Sequence, residues 1–189
     1  MKSKSELYEL SNLEAYVADA TNLNHIPSES FDVVLCFGPL YHLTAAEARM
    51  KCISESLRVL KNGGILALAY INKYSIMPML VTRDKNFIRD NMIDKLINAG
   101  VFFEGSKDCF WTESFFTSPN EIKSLMAGFH IEEIDHVATD GLSHLIGDYV
   151  DQLSEEQFHA WFKYHLETQR EESILGISTH GLYICKKNL

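Results

Sequence analysis

The sequence predicts an α/β fold built on a mostly parallel sheet, and three observations lead there. Short apolar, β-branched runs, Leu13–Ala20, Phe31–Gly38 and Ile65–Ile71, have the composition of strands buried on both faces. Segments of helical periodicity alternate with them. Capping signals mark where those helices begin, as in Ser118-Pro119-Asn120-Glu121 and Ser154-Glu155-Glu156-Gln157.

In chain order, Lys2–Leu10 is polar with Leu7 and Leu10 three apart, which reads as the end of an amphipathic helix. Leu13–Ala20 and Phe31–Gly38 follow as strands. Thr44 and Glu47 have capping-box spacing, so a helix is expected there, with Cys52, Ile53, Ser56, Leu57 and Leu60 as its buried stripe. Asn62-Gly63-Gly64 supplies a left-handed stop before the strand Ile65–Ile71. From Asn72 to Thr117 the pattern loosens around a helix near Asn86–Asn98 and an aromatic stretch, Phe102, Phe103, Phe110, Trp111, Phe115 and Phe116. A helix from Ser118 to Gly128 leads to a strand over Phe129–Val137. A further helix carries Phe158, Trp161, Phe162 and Leu166 on its apolar face, and Leu182–Cys185 closes the chain as a strand. One domain over 1–189 is expected, with its core in about 1–71, 118–137 and 180–187 and insertions at about 72–117 and 138–179.

Composition narrows the function. A chain of 189 residues with 46% hydrophobic residues can bury one substantial core. The net charge of -9 comes without a basic stretch, which argues against nucleic acid or an anionic membrane as partner and for a small molecule. Cys36, Cys52, Cys109 and Cys185 are far apart in sequence and form no CxxC pair, so neither a disulfide framework nor a zinc site is indicated and a cytoplasmic setting is expected. No HxxxH spacing suggests a metal. The apolar run Ile65–Ile71 is far short of a membrane span, and no signal core follows Met-Lys-Ser-Lys.

Ligands of such sheets bind beyond the carboxyl ends of the strands, and two segments reach that edge. In Ala18-Asp19-Ala20 the acid either accepts hydrogen bonds from a ligand or forms a turn. In Phe37-Gly38-Pro39-Leu40-Tyr41-His42-Leu43, Gly38 permits close backbone approach and Pro39 fixes the turn. Tyr41 and His42 are the candidates for substrate contact or proton removal; the bland reading of His42 is a packed, helix-capping histidine. The aromatic stretch is either core or a lid over an apolar substrate or a cation.

Val17-Ala18-Asp19-Ala20, Ser30-Phe31-Asp32-Val33-Val34, Gly38 to Leu43 and Glu55-Ser56-Leu57-Arg58-Val59-Leu60-Lys61-Asn62-Gly63-Gly64 together resemble the middle of a bacterial class I S-adenosylmethionine-dependent methyltransferase. The resemblance covers residues 13–71 closely and the later elements in order alone. It implies a Rossmann-like sheet with S-adenosylmethionine as cofactor. Asp19 would contact the adenine amino group, Ala20 would lie near the base, and Phe37, Gly38 and Leu40 would border the methionine end. Glu55–Gly64 is structural in the family.

The family's sheet opens with a strand, a GxGxG loop and a second strand ending in an acid that holds the ribose. None of the ten glycines here forms that loop. On the resemblance, those two strands belong between the strands ending at Asp19 and starting at Phe31, which would then stand roughly 14 Å apart at about 4.8 Å per spacing. Thr21–Ser30 spans such a gap when extended and is short for a direct crossover between adjacent parallel strands. The sheet therefore reads as N-terminally incomplete. Truncation is the explanation adopted, over complementation by another chain or a remodelled sheet that no longer binds cofactor. Exposed strand edges would then favour homo-oligomers. The expected function is methyl transfer to a small molecule; the alternative is a non-catalytic interaction or regulatory protein on the same fold.

Overall fold

The computed structural model describes residues 12–188. The helix end expected over Lys2–Leu10 lies outside them. Four strands form the main sheet in the order β1-β2-β6-β5: β1 is Phe31–Cys36, β2 Leu60–Ile71, β5 Ile131–Ala138 and β6 His180–Lys187. β2 runs parallel to β1, and β6 runs antiparallel to both β2 and β5. Hence β1, β2 and β5 point one way and β6 alone is reversed, a mixed α/β sheet of mostly parallel order. The strands β3 (Val101–Phe102) and β4 (Ser114–Phe115) pair separately.

Two helices follow β1. The single turn α1, Pro39–His42, starts on Gly38, and α2, Ala46–Val59, returns along the sheet. Cys52, Ile53, Ser56 and Val59 form the buried stripe of α2. The Thr44–Glu47 capping box does not form: Ala45 occupies the N-cap without a side-chain bond, and the Thr44 carbonyl instead accepts from the Arg49 guanidinium at 2.8 Å. Nor does Asn62-Gly63-Gly64 end the helix. Leu60 passes directly into extended backbone (φ -79°, ψ 134°), and the three residues form an irregularity at the start of β2, where pairing jumps from Phe31↔Leu60 to Val33↔Ile65. Gly63 takes φ 77°; at Gly64 a Cβ would lie 2.9 Å from the Asp32 carbonyl, so β1 and β2 approach there only because it is glycine.

Leu13–Ala20 is not a strand. Residues 13–18 have no ladder, Asp19 pairs only with nearby Asn22, and Val17 and Tyr16 are exposed. The physical reason is partnership: among the described residues no strand lies alongside to accept their backbone bonds, and a lone strand has no ladder energy. The connector beyond it is tied to α2. Glu55 accepts from the Leu23 N–H at 2.7 Å, while Arg58 donates to the Leu23 and Ile26 carbonyls at 2.8 and 2.9 Å and to Glu55 Oε1 at 2.7 Å. The Arg58 hydrogen bond holds the Glu55 carboxyl down to about 2 against the cost of desolvation. This gives the structural Glu55–Gly64 run its local task.

Beyond β2 come α3 (Lys73–Arg83), a short helical turn Lys85–Phe87, α4 (Asp90–Asp94), which continues as a wider turn to Ala99, and α5 (Pro119–Met126). The Ser118–Glu121 capping box on α5 forms in both directions. Between β5 and β6 lie α6 (Gly147–Val150), α7 (Glu155–Thr168) and α8 (Glu172–Leu175), and the Ser154–Gln157 box on α7 forms as well. The expected apolar face of α7 is not covered, however: Phe158, Phe162 and Leu166 are exposed, because no described element packs over it.

Two cores result. One, between the sheet and α2 and α5, contains Leu40, Ile53, Leu66, Leu68, Tyr70, Ile122 and Met126. Each fully buried side chain of this size contributes about 1.5–3 kcal/mol. The second gathers Ile71, Ile76, Leu80, Met92, Leu96, Phe102 and Phe116 at the carboxyl end of β2. The aromatic stretch supplies its rings: Phe116 packs edge-on to Phe102 (5.6 Å) and stacks on Phe110 (5.7 Å). Among the described residues, no helix is long and apolar enough to cross a membrane.

Candidate functional site

The carboxyl ends of β1, β2 and β5 and the amino end of β6 share one edge of the sheet. Its first part is the end of β1. Gly38 takes φ 134°, a conformation in which any other residue is strained, while a Cβ there would meet nothing nearer than the Tyr41 hydroxyl at 3.8 Å. The backbone, not lack of space, demands glycine, and the surface above it stays open. Phe37 is exposed beside it. Asp19 makes a tight turn: its Oδ1 accepts from both the backbone N–H and the hydroxyl of Thr21 at 2.8 Å. Those two bonds hold its carboxyl below the usual range, so it stays ionised, and among the described residues no hydrogen bond reaches its Oδ2. Ala20 packs against the first core.

The second part is a cavity of about 560 Å³ above β2, β5 and β6. Ile71, Ile76 and Leu80 form one wall and Phe110, Trp111 and Phe116 another. Asp140, just past β5, His144, Thr179, just before β6, and His180, its first residue, line the cavity as well. Asn72 fixes this junction: its side chain donates to the Gly176 carbonyl at 2.8 Å, its N–H donates to the Thr179 carbonyl at 2.8 Å, and its Oδ1 caps α3 through Tyr74 N–H at 3.1 Å.

The polar side is ordered. His180 Nδ1–H donates to Asp140 Oδ2 at 3.0 Å, and the His180 backbone N–H donates to Oδ1 at 3.2 Å. Ser178 Oγ donates to Asp140 Oδ1 and accepts the Gly141 N–H at 3.0 Å. Burial pushes Asp140 up, but the bonds from His180 and Ser178 outweigh it and hold its carboxyl below the ordinary value. His144 Nδ1–H donates to the Gly141 carbonyl at 3.0 Å. Its Nε2 and the Thr179 hydroxyl are buried without a hydrogen-bond partner among the described residues.

Residues 1–68 match the methyltransferase domain family. Similar solved structures include S-adenosylmethionine-dependent methyltransferases of Methanosarcina mazei (18% identity, TM-score 0.55, 92% of this chain) and Thermotoga maritima (18%, 0.57, 97%). The [4+2]-cyclase SpnF is also similar (16%, 0.54, 98%). The chain has the class I methyltransferase fold. It spans 66%, 69% and 60% of the length of these three structures, respectively. No curated protein matches it in sequence.

On this methyltransferase fold the sequence-derived residues fall into three groups. Asp19, Ala20, Phe37 and Gly38 lie at or before the end of β1. Leu40 is fully buried in the core, so its side chain is withdrawn from any ligand and supports α1 instead. Tyr41 packs on the second core, and His42 packs on Tyr41 (4.9 Å) and Trp111 (5.5 Å) and is not among the residues that line the cavity. Within the aromatic stretch, the Arg49 guanidinium sits 3.6 Å above the Phe115 ring. Asp140, His144, Thr179 and His180 are absent from the sequence-derived set. Thr139-Asp140-Gly141 after β5 carries the same strand-end signal as Asp19; Thr179 and His180 reach this edge only because β6 is reversed, which composition does not reveal.

Proposed function

We propose that this chain is the greater part of an S-adenosylmethionine-dependent methyltransferase acting on a small, largely apolar molecule. The observation that carries the proposal is the cavity of about 560 Å³ at the carboxyl edge of the sheet, a size that suits a small-molecule ligand. The described residues fit the cofactor on two sides. Asp19, ionised and with no hydrogen bond to Oδ2 among the described residues, suits an adenine amino group; the positive-φ backbone at Gly38 leaves room for the methionine end. When bound, S-adenosylmethionine supplies an electrophilic methyl group on a sulfonium.

The protein's own task is then to place the acceptor and keep water out, which can supply much of the rate in such a displacement. Ile71, Ile76, Phe110, Trp111 and Phe116 exclude water, and the polar side orients the acceptor. The glycine-rich loop of the family would come from polypeptide beside β1, either a preceding segment of the same protein or another chain. The exposed apolar residues Val33 (54%) and Leu35 (61%) on β1 support a missing neighbour. Free thiols at all four cysteines suit a cytoplasmic setting.

A second reading, a protein on this fold that does not transfer methyl groups, is favoured by the similarity to a [4+2]-cyclase, since one fold carries several chemistries. Calorimetric titration with S-adenosylhomocysteine separates the two, using the 189-residue chain and a version that includes any upstream in-frame sequence. Saturable binding by either supports the methyltransferase. No binding by both leaves the second reading.

A further inference from the structure

The polar side of the cavity presents acceptors. With Nδ1–H committed to Asp140, His180 has a bare Nε2; with Nδ1–H committed to the Gly141 carbonyl, so has His144. His144 Nε2 and Thr179 Oγ1 have no hydrogen-bond partner among the described residues but are closed off from the cavity, whereas the His180 side chain is 45% exposed. The rings of Phe110, Trp111 and Phe116 line the same cavity. A ligand complementary to both sides has an aromatic body and an O–H donor.

We infer that the methyl acceptor is a phenolic compound and that His180, positioned by Asp140, takes the proton of its hydroxyl. The proposal rests on the methyl-transfer reading. As the acceptor's O–H bond breaks, its proton passes to His180 Nε2; an oxygen lone pair forms the new bond to the methyl carbon, and the electron pair of the broken C–S bond stays on sulfur. The imidazolium so formed faces the Asp140 carboxylate, which Ser178 and the His180 N–H hold in place. Arg83, Asp84 and His144 are the other titratable groups on the cavity. His42, the candidate from sequence, is not among the residues that line the cavity.

The test uses p-nitrophenol, whose ionised form has its own visible absorbance, without any cofactor, so that failure here is distinct from failure to bind S-adenosylhomocysteine. Titrated at a pH below the probe's own pKa, the protein is expected to bind it saturably and to raise the phenolate band. His180→Gln should keep binding within a few-fold and lose the band. In ¹⁵N-histidine-labelled protein, His180 should show the Nδ1–H tautomer when free and become doubly protonated on adding the probe; this readout needs no variant to fold. Absence of binding by the wild type, an equal phenolate band in His180→Gln, or an Nε2–H tautomer at His180 would each overturn the proposal.

Discussion

The ring of Tyr70 lies across the backbone of Gly181, its partner on β6, so closely that a Cβ at Gly181 would stand 2.2 Å from the ring and its hydroxyl. Tyr70 is 1% exposed and its hydroxyl is 2.8 Å from His136 Nε2, so it has no room to yield. Gly181→Ala is therefore expected to cost about 2–4 kcal/mol, read as a shift of the denaturation midpoint at constant slope. Because Gly181 adjoins His180, this contact also sets where the cavity histidine begins.

His136 makes stability depend on pH. Burial, aided by Lys123, pushes its imidazole down to about 4 from 6.5. The unfolded chain then binds the extra proton first, so stability is complete above about pH 6.5, falls as pH drops toward about 4, and levels off below. The loss is expected to reach at most about 3 kcal/mol. Urea denaturation across that range should show the slope, and His136→Gln should flatten it.

Glu55 titrates in a lower window. Its carboxyl lies at about 2 in the folded protein against 4.5 ordinarily, so its contribution is present above pH 4.5 and is lost as pH falls through about 2. Arg58→Ala and Glu55→Gln should each lower the Tm by a few degrees and free the connector. Because both act on the same bonds, the double variant should lose less than the sum, and proteolysis should cut first between residues 21 and 30.

Lys73 is 3% exposed and donates to the Ile97 carbonyl (2.8 Å) and to Glu121 (2.6 Å), which also closes the capping box of α5. Removing the carboxylate strands a buried cation and opens the cap. Glu121→Ala is expected to cost about 2–4 kcal/mol by chemical denaturation, and more than Glu121→Gln, which preserves the cap.

Strand β1 has one neighbour among the described residues and exposes Phe31, Val33 and Leu35. Its free edge should pair with a second copy of the chain. Sedimentation should show concentration-dependent association that Val33→Lys and Leu35→Lys reduce; a chain that stays monomeric at high concentration would count against edge pairing.

Much of this was legible in the sequence because it was local. The Ser118 and Ser154 boxes needed only four residues each, and both formed. The run Phe31–Gly38 placed β1 and the glycine at its end. The failures were non-local. Leu13–Ala20 has strand composition but no partner strand among the described residues, and the helix expected at the Thr44 box takes Ala45 as its N-cap instead. Cys36 and Cys52, far apart in the chain, meet in the core at 3.8 Å. Asp140 and His180, forty residues apart, meet only through the antiparallel pairing of β5 with β6, which no spacing rule anticipates.

The measurement that bears most directly on the central claim is a crystal structure of the protein, extended upstream where coding sequence allows, bound to S-adenosylhomocysteine. The expected result places the adenine amino group within hydrogen-bond distance of Asp19 Oδ2 and the sulfur above Gly38, facing the cavity bounded by Trp111 and His180. A ligand bound away from the end of β1, or with its sulfur turned from that cavity, would contradict the account.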